Sequence, residues 1–560
     1  MLSIVPARSD PAPERPSPIL GRVTDDPAGP AVVPAEPARA RLRLARSAAI
    51  FSAATALSRV IGLFREIVVR RYFGVEGSIN AFTVAFQVPN LVRALAADVA
   101  LSSAFVPVFS ELLEKGDRAR AWRVASTIFW VMLLGLGALT ALAVLLAPWL
   151  LAPFGLDGAL EDLAVDLSRM LFPIVLLLGA GGVFVGILNS YDEFSIPALA
   201  PILWNVVIIV ALVVGVPMVE SESAKLYVYA GAVLAGTLVQ VLLPVPWLRG
   251  RDGRLRAVID LRDPAVKRVF ALMLPVTLSI GLINFNLVVN TLFAARFIDP
   301  ELAPSAIDAA FRIYMLPQGM FSVAVATVLF PSLSRLAARA DLEGFRETVS
   351  LGVRQIGFLL LPASAVSAVL AVPIVRLLYE RGAFDAGETR VVAGALAAFS
   401  AGLAFNGTML MLNRAFFSLQ SPWVPSSIAL GTLVLNAALN AALYRVGVWG
   451  IPLATSIVNI AGTIALLAVL RRRIGGVGLS RIADAYARIA VAAAVTAGVA
   501  FGVWLGLDEA AGRSLGAQVV AVGAALAAGA GAYLALARAL GIRELDTLVS
   551  LVRRSGKTAS

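Results

Sequence analysis

The chain contains no cysteine and no histidine among its 560 residues. That excludes disulfides, thiolate chemistry, imidazole metal sites and any Ser-His-Asp triad. Only carboxylates, lysine, tyrosine and serine remain as catalytic groups. Charge is scarce too: Asp, Glu, Lys and Arg make up 15% of the chain, against about 25% in soluble domains. No G-x-x-x-x-G-K-[ST] loop is present, so the sequence offers no cradle for ATP phosphates.

What is there is apolar. Hydrophobic residues make up 59% of the chain, and the mean hydropathy is +0.85. Apolar runs recur from about residue 46 to 540, each long enough to cross about 30 Å of hydrocarbon. The pattern predicts an all-α polytopic membrane protein with about 14 transmembrane helices; a β-barrel would show short alternating segments instead. Residues 1–45 carry nine of the thirty prolines and read as a disordered cytoplasmic tail. Residues 541–560 read as a second, basic tail.

The connections orient the spans. Arg and Lys gather after span 2 (Lys115, Arg118, Arg120), span 6 (Arg249, Arg251, Arg254, Arg256), span 8 (Arg335, Arg339) and span 12 (Arg471, Arg472, Arg473). The intervening connections are acidic or neutral. Basic loops on one side follow the positive-inside rule, which puts both termini in the cytoplasm. The formal charge of +11 is thus a property of membrane loops and gives no sign of nucleic-acid binding.

The chain also repeats. Pro107 matches Pro331, Pro148 matches Pro373, Leu188-Asn189 matches Leu412-Asn413, and Pro197 and Pro201 match Pro422 and Pro425. These offsets are constant to within one residue and cover six spans, so the copies share one orientation. Two pseudo-symmetric six-helix lobes are expected, 46–248 and 264–471, around a central cavity, followed by a helix pair at 482–540.

Arg59, Arg65, Arg93 and Arg312 lie inside these apolar segments. A charge at the bilayer centre costs about 2.5–3.5 kcal/mol on insertion scales, so such residues face a wet cavity or a partner. Arg59 and Glu66 lie nearly along one line of span 1, with Arg65 about 120° away. In span 2, Asn90 and Arg93 share a face beside the bend at Pro89. In span 8, Arg312 sits near Pro317 and Gly319. Guanidinium forks donate paired hydrogen bonds to phosphate oxygens, so several of them predict an anionic, diphosphate-bearing cargo. The competing reading pairs each arginine with an internal acid such as Glu66 or Asp98. Arg70 and Arg71 read as interfacial residues.

The runs SRVIGLFREIVVRRYFG, NAFTVAFQVPNLVRALAADVALSSAFVPVF and AAFRIYMLPQGMFSVAVATVLFPSLSR resemble the MurJ/MviN lipid II flippase family of the MOP superfamily. The resemblance covers about residues 46–545. It implies that Ser58, Arg59, Arg65, Arg93, Arg312 and Asn90 contact substrate, and that Glu66 and Asp98 pair charge or gate. It also implies that about 483–538 line a groove for the lipid tail. Asn80 is a third position of that charge-pairing or gating set, with an amide where the family usually has an acid. Asn290, Asn436, Asn440 and Thr455 stand near a sodium site that some relatives build with aspartates; lacking carboxylates, they read better as helix-packing amides than as a metal site.

The function implied is transport of lipid II from the inner to the outer leaflet by alternating access, with no cofactor. Membrane potential would be the drive, and the coupling ion stays open. The expected setting is a bacterial plasma membrane, with lipid II, membrane lipids and cell-wall synthesis machinery as partners and a monomeric transport unit. The rivals are a flippase for another polyprenyl-diphosphate glycan, a multidrug exporter, an intramembrane glycosyltransferase and a cell-wall assembly scaffold. Short outer loops without paired acids argue against the glycosyltransferase.

Overall fold

The computed structural model describes residues 36–96 and 99–545. No strand occurs among them. The helices fall into fourteen rods, numbered here α1 to α14. The first lobe holds α1 (Glu36–Phe73), α2 (Ile79–Ala96, then Val99–Glu114), α3 (Arg118–Leu151), α4 (Ala159–Leu171, then Pro173–Ser190), α5 (Ser195–Gly215) and α6 (Glu222–Leu242). The second holds α7 (Pro264–Phe293), α8 (Ala303–Pro317, then Val323–Ala338), α9 (Leu342–Val369, then Ala371–Tyr379), α10 (Ala386–Ser400, then Leu403–Ser418), α11 (Trp423–Leu443) and α12 (Gly450–Ile474). The pair α13 (Leu479–Ala511) and α14 (Leu515–Ala539) follows. Ten of these rods are long and apolar enough to cross a membrane alone, and α10, bent by 45°, makes eleven; α1, α2 and α7 complete the set. Helix α1 begins at Glu36, ahead of the expected boundary at 46, and the tail residues 1–35 and 546–560 lie outside the described residues.

Local chemistry sets the ends of the rods. Asp117, Ser221, Asp263, Asp341 and Ser514 each accept a backbone N–H as N-caps, satisfying donors that the first turn leaves free. Asp385 and Glu388 form a reciprocal capping box at the start of α10. Asp263 also accepts both forks of Arg120 at 2.8 and 3.0 Å. Those bonds hold its carboxyl below the usual carboxylate range and tie the α6–α7 connection to α3.

The packing repeats as the sequence does. In the first lobe α1 packs on α5, α2 on α4, α3 on α4, α4 on α6 and α5 on α6. Six rods later, α7 packs on α11, α8 on α10, α9 on α10, α10 on α12 and α11 on α12. The last pair docks on α9 through α13. The lobes have apolar cores of their own, and α7 also joins them, packing on both halves of α2 with Val266 and Val269 buried in a third cluster among first-lobe residues. At the end carrying the odd-numbered connections the lobes interlock: Val75 of the α1–α2 connection sits in the second lobe's core, and Ala295 sits in the first lobe's.

That end is sealed by backbone. The Gly77 N–H donates to the Glu301 carbonyl at 2.7 Å, and the Ala383 N–H to the Arg71 carbonyl at 2.8 Å. The Val75 and Glu76 N–H groups donate to Glu388 Oε1 at 2.7 and 2.9 Å. A pseudo-symmetric pair closes the same surface. Arg71 lies directly on Gly382, and Arg296 lies on Gly155. Both glycines have φ of +67°, a conformation that side chains disfavour, and neither leaves room for a Cβ.

Candidate substrate site

Of the sequence-predicted residues, Arg65, Glu66 and Arg312 join one network where α1 faces α8. One turn of α1 places Glu66 and Arg70 together, with Arg70 Nη2 on Glu66 Oε1 at 2.8 Å. Arg65 adds a longer contact to Glu66 Oε2 at 3.4 Å and lays its guanidinium over the Trp204 ring of α5, 4.7 Å from the centroid. Arg70 then crosses between the lobes. It donates to Ser305 Oγ at 2.6 Å and to Asp308 Oδ2 at 3.2 Å. One turn further along α8, Arg312 Nη2 meets Asp308 Oδ1 at 3.1 Å. The result is one chain of charge, Arg65–Glu66–Arg70–Asp308–Arg312, spanning both lobes.

Its members differ in exposure. The Arg65 and Arg70 side chains are 10% and 2% exposed, whereas the Arg312 side chain is 44% exposed. Arg70 is therefore not the interfacial residue that its place beside Arg71 suggested; Arg71 is exposed. Arg59 is exposed, and its guanidinium rests on Gly319. There the π-helical turn Gln318–Ser322 interrupts α8 just after Pro317. Ser58 is half-buried beside it. On α2, Arg93 is held by Asn90, whose Oδ1 accepts from Nη2 at 2.8 Å and from Nε at 3.2 Å. Asp98 lies outside the described residues.

Asn80, where an acid was expected, is fully buried in the seal. Its amide nitrogen donates to the carbonyls of Val75 at 2.9 Å, Gly77 at 3.1 Å and Glu301. Its oxygen accepts the Ser305 N–H at 2.8 Å. A carboxylate could do only the second job. Asn80→Asp leaves those carbonyls facing a buried anion and should weaken the seal by about 3 kcal/mol. Because the chain has no cysteine, Ala306→Cys provides a single reporter inside the closed end. Its labelling by a membrane-impermeant maleimide should speed up about tenfold or more when Asn80→Asp is added; an unchanged rate sinks the role given to Asn80.

Asn290, Asn436, Asn440 and Thr455 do come together, joined by Asn286. Asn436 Nδ2 donates to Asn286 Oδ1 and Asn290 Oδ1, both at 2.6 Å. Asn440 Nδ2 donates to Asn290 Oδ1 at 2.8 Å, and Asn290 Nδ2 to Thr455 Oγ1 at 3.3 Å. The Asn436 and Asn440 oxygens have no hydrogen-bond partner among the described residues. Two neutral oxygens without a carboxylate do not fit a tightly held sodium ion, since hard cations want anionic donors. Among the described residues no cluster of three or more His, Cys, Asp or Glu suits a metal. The ladder instead joins α7, α11 and α12.

Two six-helix lobes bridged by a cation-rich chain of charge define a polytopic membrane transporter. The signature of the family described as "Lipid II flippase MurJ" matches residues 69–508. "Lipid II flippase MurJ" of Burkholderia cenocepacia is 32% identical over 441 residues, covering 77% of this chain and 84% of that protein. "Probable lipid II flippase MurJ" of Bdellovibrio bacteriovorus is 30% identical over 526 residues, covering 92% and 98%. Among solved structures, a lipid II flippase MurJ in an inward closed conformation aligns with a TM-score of 0.71 at 23% identity, covering 87% of this chain and 97% of that one. An inward-facing multidrug resistance MATE family transporter of the MOP superfamily aligns at 0.65 and 17% identity, covering 76% and 98%. At these identities the structural likeness carries the fold alone. The chain belongs to the MurJ lipid II flippase family.

Proposed function

We propose that this chain moves lipid II, a polyprenyl-diphosphate-linked glycan precursor, from the cytoplasmic to the outer leaflet by alternating access. The observation that carries this reading is an imbalance of charge. Arg65, Arg70 and Arg312 share two carboxylates, Glu66 and Asp308, and exposed Arg59 adds a further cation on the same pair of helices. A diphosphate entering from the side of Arg312 and Arg59 would supply the missing anions. Because each lobe contributes a guanidinium, the cargo's charge bears on the interface that must rearrange.

In the orientation set by the basic loops, the interlocked end faces outward, so this arrangement holds the outer exit shut. The α13–α14 pair presents exposed Val491, Val495, Val519 and Val520, a surface for the polyprenyl tail. Both lobes lie in one chain, so a monomer suffices as the transport unit. An inside-negative potential favours outward movement of anions by about 2.3 kcal/mol per charge per 100 mV. With no carboxylate in the Asn286–Asn290–Asn436–Asn440 ladder, we infer drive by potential without sodium.

Vesicles containing the purified chain and lipid II test both points. Lipid II should leave the leaflet corresponding to the cytoplasmic side, faster under potential and equally fast when potassium replaces sodium. Lack of movement, or equal movement of a neutral polyprenol glycan, would overturn the reading; dependence on sodium would overturn the inferred drive.

A further inference from the structure

Between the end of α12 and the start of α13 lies an open cavity of about 570 Å³ on the outer surface of the bundle. Ile464, Leu467, Ala468 and Leu479 form its floor, and Arg471 and Arg472 its rim. The floor positions on α12 recur at i, i+3 and i+4, with Arg471 following at i+7, so they make one stripe along the helix. From Ile464 to Arg471 that stripe runs about 10 Å along the axis.

Arg471 and Arg472 are both exposed and have no ion pair among the described residues. Their neighbours are committed elsewhere: Arg473 donates to Ser421 Oγ at 2.7 Å, and Arg346 caps the Ile474 carbonyl at the end of α12. Arg346 Nη2 also sits close to Gly475, 2.8 Å from where a Cβ would lie. It thereby offsets the negative end of the helix dipole, which would otherwise repel an anion. The rim therefore carries uncompensated positive charge directly above an apolar trough, at the depth where a spanning helix leaves hydrocarbon.

We propose that this cavity binds one membrane phospholipid of net negative headgroup. Its phosphate lies on Arg471 and Arg472, and one acyl chain lies along Ile464, Leu467 and Ala468. Charge complementarity selects this occupant. A zwitterionic lipid brings its own cation to a basic rim, and the chain's own residues 546–560 carry Arg553, Arg554 and Lys557, which the rim repels. Basic pockets between helices at the cytoplasmic face are a recurrent way of holding anionic headgroups. The site is distinct from the charge chain on α1 and α8 and does not depend on which cargo that chain holds.

Native mass spectrometry of the full chain in micelles, with phosphatidylglycerol or phosphatidylcholine added, tests the proposal. The chain should retain phosphatidylglycerol preferentially. Arg471→Gln with Arg472→Gln should weaken that retention by about thirtyfold, two surface charges' worth. Ala468→Trp, which fills the trough and leaves the arginines, should also abolish it. Both variants lie on the exposed surface and should match the parent in thermal unfolding without phosphatidylglycerol. Equal retention of phosphatidylcholine, an unaltered preference in the double variant, or displacement of the lipid by equimolar inorganic phosphate would each overturn it.

Discussion

Arg312→Ala should abolish lipid II export while the protein still folds and inserts. The Arg312 side chain is 44% exposed and bonds only to Asp308 among the described residues, and Asp308 keeps Arg70 as a partner when Arg312 is gone. Truncation therefore opens no cavity and strands no buried charge. It removes the second lobe's guanidinium from the site, so a diphosphate would be held by the first lobe only. Losing a charge-assisted fork costs about 1.5–3 kcal/mol in binding. The effect on transport is larger, because the cargo can no longer bear on both lobes at once. Arg312→Lys keeps the charge without the paired donors and should export at an intermediate rate. The measurement is the leaflet in which lipid II accumulates when the variant is the sole copy in the cell, with membrane abundance quantified alongside. Normal export by Arg312→Ala would refute the assignment.

The sequence carried what depends on local chemistry or on repetition. Period and length placed fourteen rods, and the Pro107/Pro331 and Pro148/Pro373 matches anticipated pairings that recur six rods apart. Arg59, Arg65 and Arg312 stood out because charge in apolar helices is costly. What stayed hidden lies between elements distant in sequence. Arg70 meets Ser305 and Asp308 across more than 230 residues, and no periodicity reports such a contact. Weak signals existed: Glu66–Arg70 and Asp308–Arg312 are both i, i+4 pairs, and Asp308 is an acid inside an apolar run. Asn80 looked like a lost charge because its value lies in donating to carbonyls of both lobes, which an acid cannot do. Glu388 was overlooked for a similar reason: its partners are the backbone N–H groups of a loop in the other lobe.

Arg70→Ala should do what Arg312→Ala does not, and destabilise the fold itself. Arg70 is the one member of the chain that touches carboxylates of both lobes, Glu66 at 2.8 Å and Asp308 at 3.2 Å. Removing one partner from a buried ion pair costs about 3–5 kcal/mol, because the other charge is left without compensation. Arg65 and Arg312 soften that here, so the lower end, about 3 kcal/mol, is expected. The sign of the interaction can be isolated. In Arg70→Met with Asp308→Asn the inter-lobe charge is removed from both sides, and stability should recover part of the loss, giving a coupling well above 0.5 kcal/mol in the double-mutant cycle. Denaturant unfolding in detergent reads this, and Ala306→Cys labelling reads whether the sealed end has opened. If Arg70→Ala unfolds like the parent, or the two substitutions simply add, Arg70 and Asp308 do not hold the lobes together. A bridge through Arg70 also makes Asp308 the anion that occupies the arginines between transport cycles. A diphosphate that drew both Arg312 and Arg70 away from Asp308 would weaken the contact that joins α1 to α8, and would thereby couple cargo binding to opening without a separate switch.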